Sequence, residues 1–265
     1  MRGRHPVSVF WFQMRLTCAA RTDPGRRREA NEDSLCTRED LGLFIVADGM
    51  GGHVAGEIAS RLVVQEVERF VAATPSAAAG HAPALGGKGS AGDRLGAALV
   101  EANRLLAARI AEDAALQGMA TTAVALLSEV GDIALAHVGD SRAYRWRAGH
   151  LTQLTSDHSW VEEQVRAGRL TAAAARRHPW KHVVTRAISG GTDLEVEVSA
   201  LALEQGDRIL LCSDGLSTVV ADRAIAEALR MDRPSHEACD ELVRRANNAG
   251  GPDNVTVVLI EAHAE

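Results

Sequence analysis

The hydrophobic pattern of this chain changes period several times. Residues 15–21 and 41–47 are short apolar runs that read as strands, the second continuous enough to be buried. From Gly56 the spacing becomes helical. Ile58, Leu62, Val63, Val67, Phe70 and Val71 recur on one face of a helix that ends near Ala73. Residues 74–93, TPSAAAGHAPALGGKGSAGD, interrupt the pattern and are expected to form a flexible loop. A second amphipathic helix is expected from about Asp93 to Leu116, with Leu95, Leu99, Leu105, Leu106 and Ile110 turned inward.

Strands then dominate. TTAVALLSE (121–129), DIALAHVG (132–139) and RAYRWRAG (142–149) are short runs split by turn residues, and they predict an antiparallel meander. Helix returns over 159–177. LEVEVSAL (194–201) alternates as a half-buried strand does, and RILLCS (208–213) is apolar enough to be central. Residues 221–230 and 235–250 predict helices, with Asp222 and Ser235 as caps, and NVTVVLIEA (254–262) predicts a last strand. Strands interrupted by long helices, without regular βαβ alternation, point to antiparallel sheets with helices packed outside. A single domain is expected over 14–265. Residues 1–13 read as a poorly ordered N-terminal extension, with Met14 as an alternative start just before the first strand.

Composition narrows the class. The chain has 265 residues, 46% hydrophobic and 24% charged, with only 3% aromatic, so the core should be aliphatic. A net charge of −6 without a basic stripe argues against nucleic-acid binding. No apolar run approaches the roughly 18 residues of a membrane helix, so no membrane partner is expected. Cys18, Cys36, Cys212 and Cys239 are far apart and form no CxxC pair, which suits free thiols in the reducing cytoplasm. The ten histidines include no HExxH, and Pro179 between His178 and His182 excludes a helical metal pair there. Both are expected at the surface.

The candidate chemistry lies in aspartates at strand ends: Asp33, Asp48, Asp140, Asp214 and Asp253. Taken singly, each is more often a turn residue. HVGDSRAY would make a good hairpin, so Asp140 reads as a turn. Asp48-Gly49 and Asp214-Gly215 are different, because no strand returns after either and a helical pattern follows. A carboxylate at the end of a buried strand is costly unless a positive charge compensates. Asp33, Asp48, Asp214 and Asp253 carry four negative charges, which two divalent cations would neutralise. Oxygen-only ligands select hard ions, Mg²⁺ or Mn²⁺. Two such ions about 3.5–4 Å apart are a common device for hydrolysing phosphate esters. The glycines around Asp48 would let metal-bound waters, backbone carbonyls and a bulky phosphate crowd close. Arg28 offers a guanidinium suited to grip it bidentately.

The blocks RREANED, FIVADGMGGHVAGEIAS, MATTAVAL, AHVGDSRAY, LTSDHS, VVTRAISG, ILLCSDGLS and GGPDNVTVVLI occur in this order from about Leu16 to Ile260. In that order they resemble metal-dependent serine/threonine protein phosphatases of the 2C (PPM) type. The resemblance implies an α+β fold, a four-layer α/β/β/α sandwich of two packed antiparallel sheets flanked by helices. It implies that Asp33, Asp48, Asp214 and Asp253, with the Gly49 carbonyl, hold two Mn²⁺ or Mg²⁺ ions, Asp48 bridging them. Asp140 matches a third, weaker site shared with Asp214. Arg28 would bind the substrate phosphate, Glu32 would order a metal-bound water, and residues 155–185 would form a flap beside the site. Trp160 and Trp180 are expected to pack that flap or to touch a phosphopeptide. Met50 stands where animal members carry a histidine, which leaves nearby His53 or a metal-bound water as the candidate acid. The implied reaction is attack of a metal-activated water on phosphoserine or phosphothreonine, without a phosphoenzyme. The implied partners are phosphorylated proteins, including a cognate Ser/Thr kinase and its targets, met by a monomer. The alternatives are a non-catalytic pseudophosphatase, which should lack metal-ligating aspartates, and a narrow regulator of one partner.

Overall fold

The computed structural model describes residues 14–51, 55–74, 89–230 and 232–264. The N-terminal extension, His53 and most of the predicted loop 74–93 therefore lie outside the described residues. The chain runs through strands β1 (Met14–Asp23), β2 (Asp33–Arg38) and β3 (Leu43–Met50) into helices α1 (Ala55–Ala73) and α2 (Ala91–Glu112). Next come β4 (Ala120–Thr121), β5 (Ala123–Glu129), β6 (Asp132–Val138), β7 (Arg142–Arg147) and β8 (His150–Gln153). Helices α3 (Trp160–Arg166) and α4 (Ala172–Ala175) precede β9 (Glu197–Ala200) and β10 (Arg208–Cys212). Helices α5 (Asp214–Ser217), α6 (Asp222–Ala228) and α7 (Ser235–Asn248) lead into β11 (Val255–Ala264).

Two antiparallel sheets result. One has the order β1-β11-β10-β7-β8. The other has β2-β3-β5-β6-β9, with β4 added to β3. Strand β3 shows why its run is continuously apolar. Leu43, Ile45 and Ala47 pack outward under α1 and α2, while Phe44 and Val46 point into the space between the sheets. The same split divides Leu210 and Cys212 from Ile209 and Leu211 on β10. On β11, Val255, Val257 and Leu259 face the helices, and Val258 and Ile260 face the other sheet. A strand covered on both faces cannot alternate polar with apolar. Helix α7 covers β1 and β11, and α1 with α2 covers the second sheet. The architecture is the expected four-layer sandwich.

Several local expectations are corrected. The meander over 121–149 does not form. β5 and β6 pair as a hairpin, but β7 crosses into the other sheet between β10 and β8. HVGDSRAY is thus a bridge between sheets and not a hairpin. The helix over 159–177 is two short helices, parted at Gly168 (φ +68°) and restarted where the Thr171 hydroxyl accepts from the Ala174 N–H. Helix α2 starts at Ala91, capped by Ser90, so the end of the predicted loop is helical. Leu105 faces solvent at 38% exposure. Asp222 and Ser235 do not cap: Ala221 and Pro234 hold those positions, and each named residue is the first of its helix. Strand β9 is exposed throughout at the sheet edge, whereas Leu194 and Val196, just before it, carry the apolar side of the alternation onto the core. Strands β2 and β8 lacked a recognisable apolar pattern. β2 is diluted by Asp33, Ser34, Thr37 and Arg38, and β8 is mostly exposed.

Candidate metal centre

Sheet register places the acidic residues. Asp33 begins β2 directly opposite Asp48 on β3. In the other sheet Asp214 opens α5 immediately after β10, and Asp253 stands two residues before β11, the neighbour of β10. Asp140 sits in the crossing from β6 to β7. Five separate stretches therefore deliver carboxylates to one rim, where their charges act on one another.

Burial and mutual repulsion raise the carboxyl pKa values together. Burial pushes Asp33 up to about 7 from an ordinary 3.8; hydrogen bonds from Thr256 and Ser213 oppose the rise, and the charges of Asp214 and Asp253 add to it. Asp140 also reaches about 7, through burial and then Asp214 and Asp157. Asp48 is held well above the carboxylate range by burial and by Asp33, Asp214, Asp140 and Asp253. Asp214 is raised by burial and by Asp253, with His182 opposing the rise. Burial also raises Glu32, with Arg28 opposing. Among the described residues, one salt bridge reaches these five aspartates. Arg28 pairs with Asp253 at 2.8 Å, but its side chain is half exposed.

The donor set fits hard divalent cations. Oδ2 of Asp33 accepts from the Ser213 hydroxyl at 2.7 Å, while Oδ1 is buried without a hydrogen-bond partner. A buried carboxylate oxygen left unpaired among four other carboxylates is where a cation is most stabilising. Every candidate ligand offers oxygen.

Four hydrogen-bonding side chains that the sequence did not single out build the frame. Asn254 accepts from the Glu32 N–H at 2.8 Å and donates to the carbonyls of Pro24 and Ala30 at 3.0 and 2.9 Å, so one amide ties the Arg28 loop to the start of β11. Ser213 accepts from the Thr256 N–H at 3.0 Å while donating to Asp33. The Thr121 hydroxyl donates to the Asp48 carbonyl at 2.8 Å, and Thr122 accepts from the Asp48 N–H at 3.0 Å. The only available signal was position: each lies beside an aspartate or in the Thr-Thr pair before β5.

The glycines admit backbone carbonyls at close range, as expected. A Cβ on Gly49 would overlap the carbonyl oxygens of Gly56 and Glu32, and one on Gly215 would overlap the carbonyl oxygen of Asn254. Gly49 lets three backbone segments meet, and Gly215 lets two more do so. Gly215→Ala is accordingly expected to cost about 1–3 kcal/mol, because backbone and not a flexible side chain must move. A thermal melt checks this; an unshifted melting temperature would contradict the contact.

A second group, His137, His158 and Glu197, brings its ligating atoms within 4.8 Å of one another. Its hydrogen bonds argue against a metal. The Gly139 N–H donates to His158 Nδ1 at 3.1 Å, so the proton stays on Nε2, which faces Glu197 at 3.3 Å. Neither nitrogen of His158 has a lone pair to spare. The two imidazoles stack, with centroids 4.6 Å apart. The surface expectation holds for His182, which is exposed, but His178 is half-buried between Trp160 and Trp180, at 4.8 and 5.9 Å.

Comparison with known proteins agrees with this geometry. Residues 25–259 match the family model described as protein phosphatase 2C. The serine/threonine protein phosphatase PstP of Mycobacterium tuberculosis is 40% identical over 246 residues, 93% of this chain; the chain spans 45% of that relative's length. The serine/threonine phosphatase stp of Listeria monocytogenes is 36% identical over 244 residues, 91% of this chain and 94% of the relative. The crystal structure of the M. tuberculosis phosphatase superposes with a TM-score of 0.83 at 39% identity, over 94% of this chain and 99% of that one. A PstP catalytic domain in complex with two manganese ions superposes at 0.82 with 37% identity, over 95% of this chain and 100% of that one. A match across nearly the whole chain, on a fold that gathers these carboxylates at one rim, shows that the chain belongs to the protein phosphatase 2C family.

Proposed function

We propose that this chain hydrolyses phosphoserine and phosphothreonine in proteins, with Asp33, Asp48, Asp214, Asp253 and the Gly49 carbonyl holding two Mn²⁺ or Mg²⁺ ions, and Asp140 with Asp214 serving a third, weaker site. The observation that carries the reading is the buried, mutually repelling carboxylate cluster with an unpaired Asp33 oxygen. The manganese-bound relative supports it. When bound, the ions would supply Lewis acidity toward the phosphoryl oxygens and acidify a water. Arg28 binds and orients the phosphate. Its Nη2 is held by Asp253, which leaves the rest of its donor fork free to face the substrate. Glu32 stands beside the N-terminus of α1, where a Cβ on Gly56 would meet its carboxylate at 2.8 Å, and it is placed to hold a water by hydrogen bond. Met50 offers no proton, and His53 is retained as the candidate acid.

Four free cysteines support action in a reducing cytoplasm, where the substrates would be targets of a cognate Ser/Thr kinase. No described helix is long and apolar enough to cross a membrane. The defining experiment measures hydrolysis of p-nitrophenyl phosphate and of a phosphothreonine peptide in Mn²⁺, Mg²⁺ and EDTA. Activity undiminished in EDTA would defeat the reading. Arg28→Ala is expected to lower kcat/KM about 10- to 100-fold, the value of one charge-assisted phosphate contact. An unchanged kcat/KM would remove Arg28 from the site.

A further inference from the structure

The flap has a charge character opposite to that of the whole protein. The chain carries −6, yet residues 164–192 contain no Asp or Glu, while Arg166, Arg169, Arg176, Arg177, Lys181 and Arg186 all fall in that stretch. Arg186 is matched by Glu195 at 3.1 Å. Arg176, Arg177 and Lys181 are exposed and have no acidic partner among the described residues.

In the chain these cations flank two members of a built aromatic floor, His178 and Trp180. The rings of Trp160 and His178 are 4.8 Å apart, and Trp180 stands edge-on to Trp160 at 4.8 Å. Successive backbone turns fix the loop: the Lys181 N–H donates to the His178 carbonyl and the Val183 N–H to that of Trp180, both at 3.1 Å. Trp180 is nonetheless 53% exposed and Val183 44%. A rigid aromatic with one open face beside uncompensated cations is a recognition surface rather than a packing accident.

The strip is tied to the carboxylate rim at both roots. The His158 N–H donates to the Gly139 carbonyl, next to Asp140, at 2.9 Å. Ile188 exchanges two hydrogen bonds of 2.9 Å with Thr121, whose hydroxyl holds the Asp48 carbonyl.

We propose that Arg176, Arg177, Trp180 and Lys181 form a docking strip for acidic residues that flank the phosphorylated side chain, so that this site selects acidic phosphoproteins. The proposal rests on the reading of the rim as a phosphoprotein phosphatase site. Three exposed ion pairs together favour an acidic peptide by about tenfold at low salt, an advantage that shrinks as ionic strength rises.

The test compares two phosphothreonine peptides that differ only in having Asp and Glu, or Asn and Gln, around the phosphorylated residue. The full-length Mn²⁺-loaded protein should show kcat/KM about tenfold higher on the acidic peptide, with the difference in KM. In Arg176→Glu/Arg177→Glu/Lys181→Glu the ratio should fall to one or below; because it is taken within one variant, any general loss of activity cancels. Tryptophan fluorescence titration with the same peptides reads docking without turnover. A wild-type ratio near one, or a ratio unmoved by charge reversal, overturns the proposal. Acidic-selective binding without hydrolysis of either peptide would sustain the docking strip and sink the phosphatase reading.

Discussion

Asp48→Asn is expected to reduce hydrolysis of p-nitrophenyl phosphate by about 10³-fold or more, and at the same time to raise the melting temperature of the cation-free protein. Both effects have one origin. Asp48 is the carboxylate on which the charges of Asp33, Asp214, Asp140 and Asp253 all converge. Replacing it by a neutral amide of the same shape removes the centre of that repulsion, so the empty rim folds more easily. It also removes a carboxylate that would hold the ions, which when bound would stabilise charge on the transferring phosphoryl group. The Asp48 backbone should stay in place, since its N–H and carbonyl are held by Thr122 and Thr121 rather than by its own side chain. A loss of activity accompanied by a lower melting temperature would instead mean that the substitution damaged the fold. Retained activity would remove Asp48 from the site altogether.

Removing divalent cations is expected to make stability depend on pH in an unusual direction. Asp33 and Asp140 rise to about 7 from 3.8 in the folded chain. Between these values the folded state binds more protons than the unfolded state, so the stability of the cation-free protein falls as pH rises through the window. The common case, a carboxylate with a depressed pKa, behaves in the opposite sense. In EDTA the melting temperature should therefore drop between about pH 5 and about pH 8. Mn²⁺ should restore it most at the higher pH, because ligands must shed protons before they bind a metal. At a hundred times the dissociation constant the restoration is about 2.7 kcal/mol, or about 5–10 °C for a chain of this size. A cation-free melting temperature that climbs with pH, or an Mn²⁺ effect equal at both pH values, would contradict the buried cluster.

Much of the fold was legible because the two sheets are covered on both faces. β3, β10 and β11 are so thoroughly buried that their runs had to be apolar, and the aspartates at their ends stood out against them. Strand β2 was hidden because Asp33, Ser34, Thr37 and Arg38 dilute its pattern, and β8 because most of it is exposed. The predicted meander failed for a different reason. A short strand ending in Gly-Asp-Ser-Arg is compatible with a hairpin and with a crossing alike, and the choice depends on which sheet buries Ala143 and Tyr144. Here Ala143 joins the layer between the sheets and Tyr144 the layer under the helices.

By itself, then, the sequence determined the inventory: which runs must be buried, which carboxylates end them, that the ligand atoms would be oxygens, and that Arg28 stood near enough in the chain to serve them. These are properties of residue type and local spacing, and they need no tertiary contact. Only the tertiary structure decided that β7 leaves its hairpin partner and so brings Asp140 to the same rim as Asp48. It alone assigned Asn254, Ser213 and the Thr121–Thr122 pair to the frame, chose which carbonyls approach the glycines, and left Arg176, Arg177 and Lys181 uncompensated beside the aromatic floor. Those outcomes rest on contacts between residues far apart in the chain, and on charges that raise one another's pKa only once burial has removed the water between them.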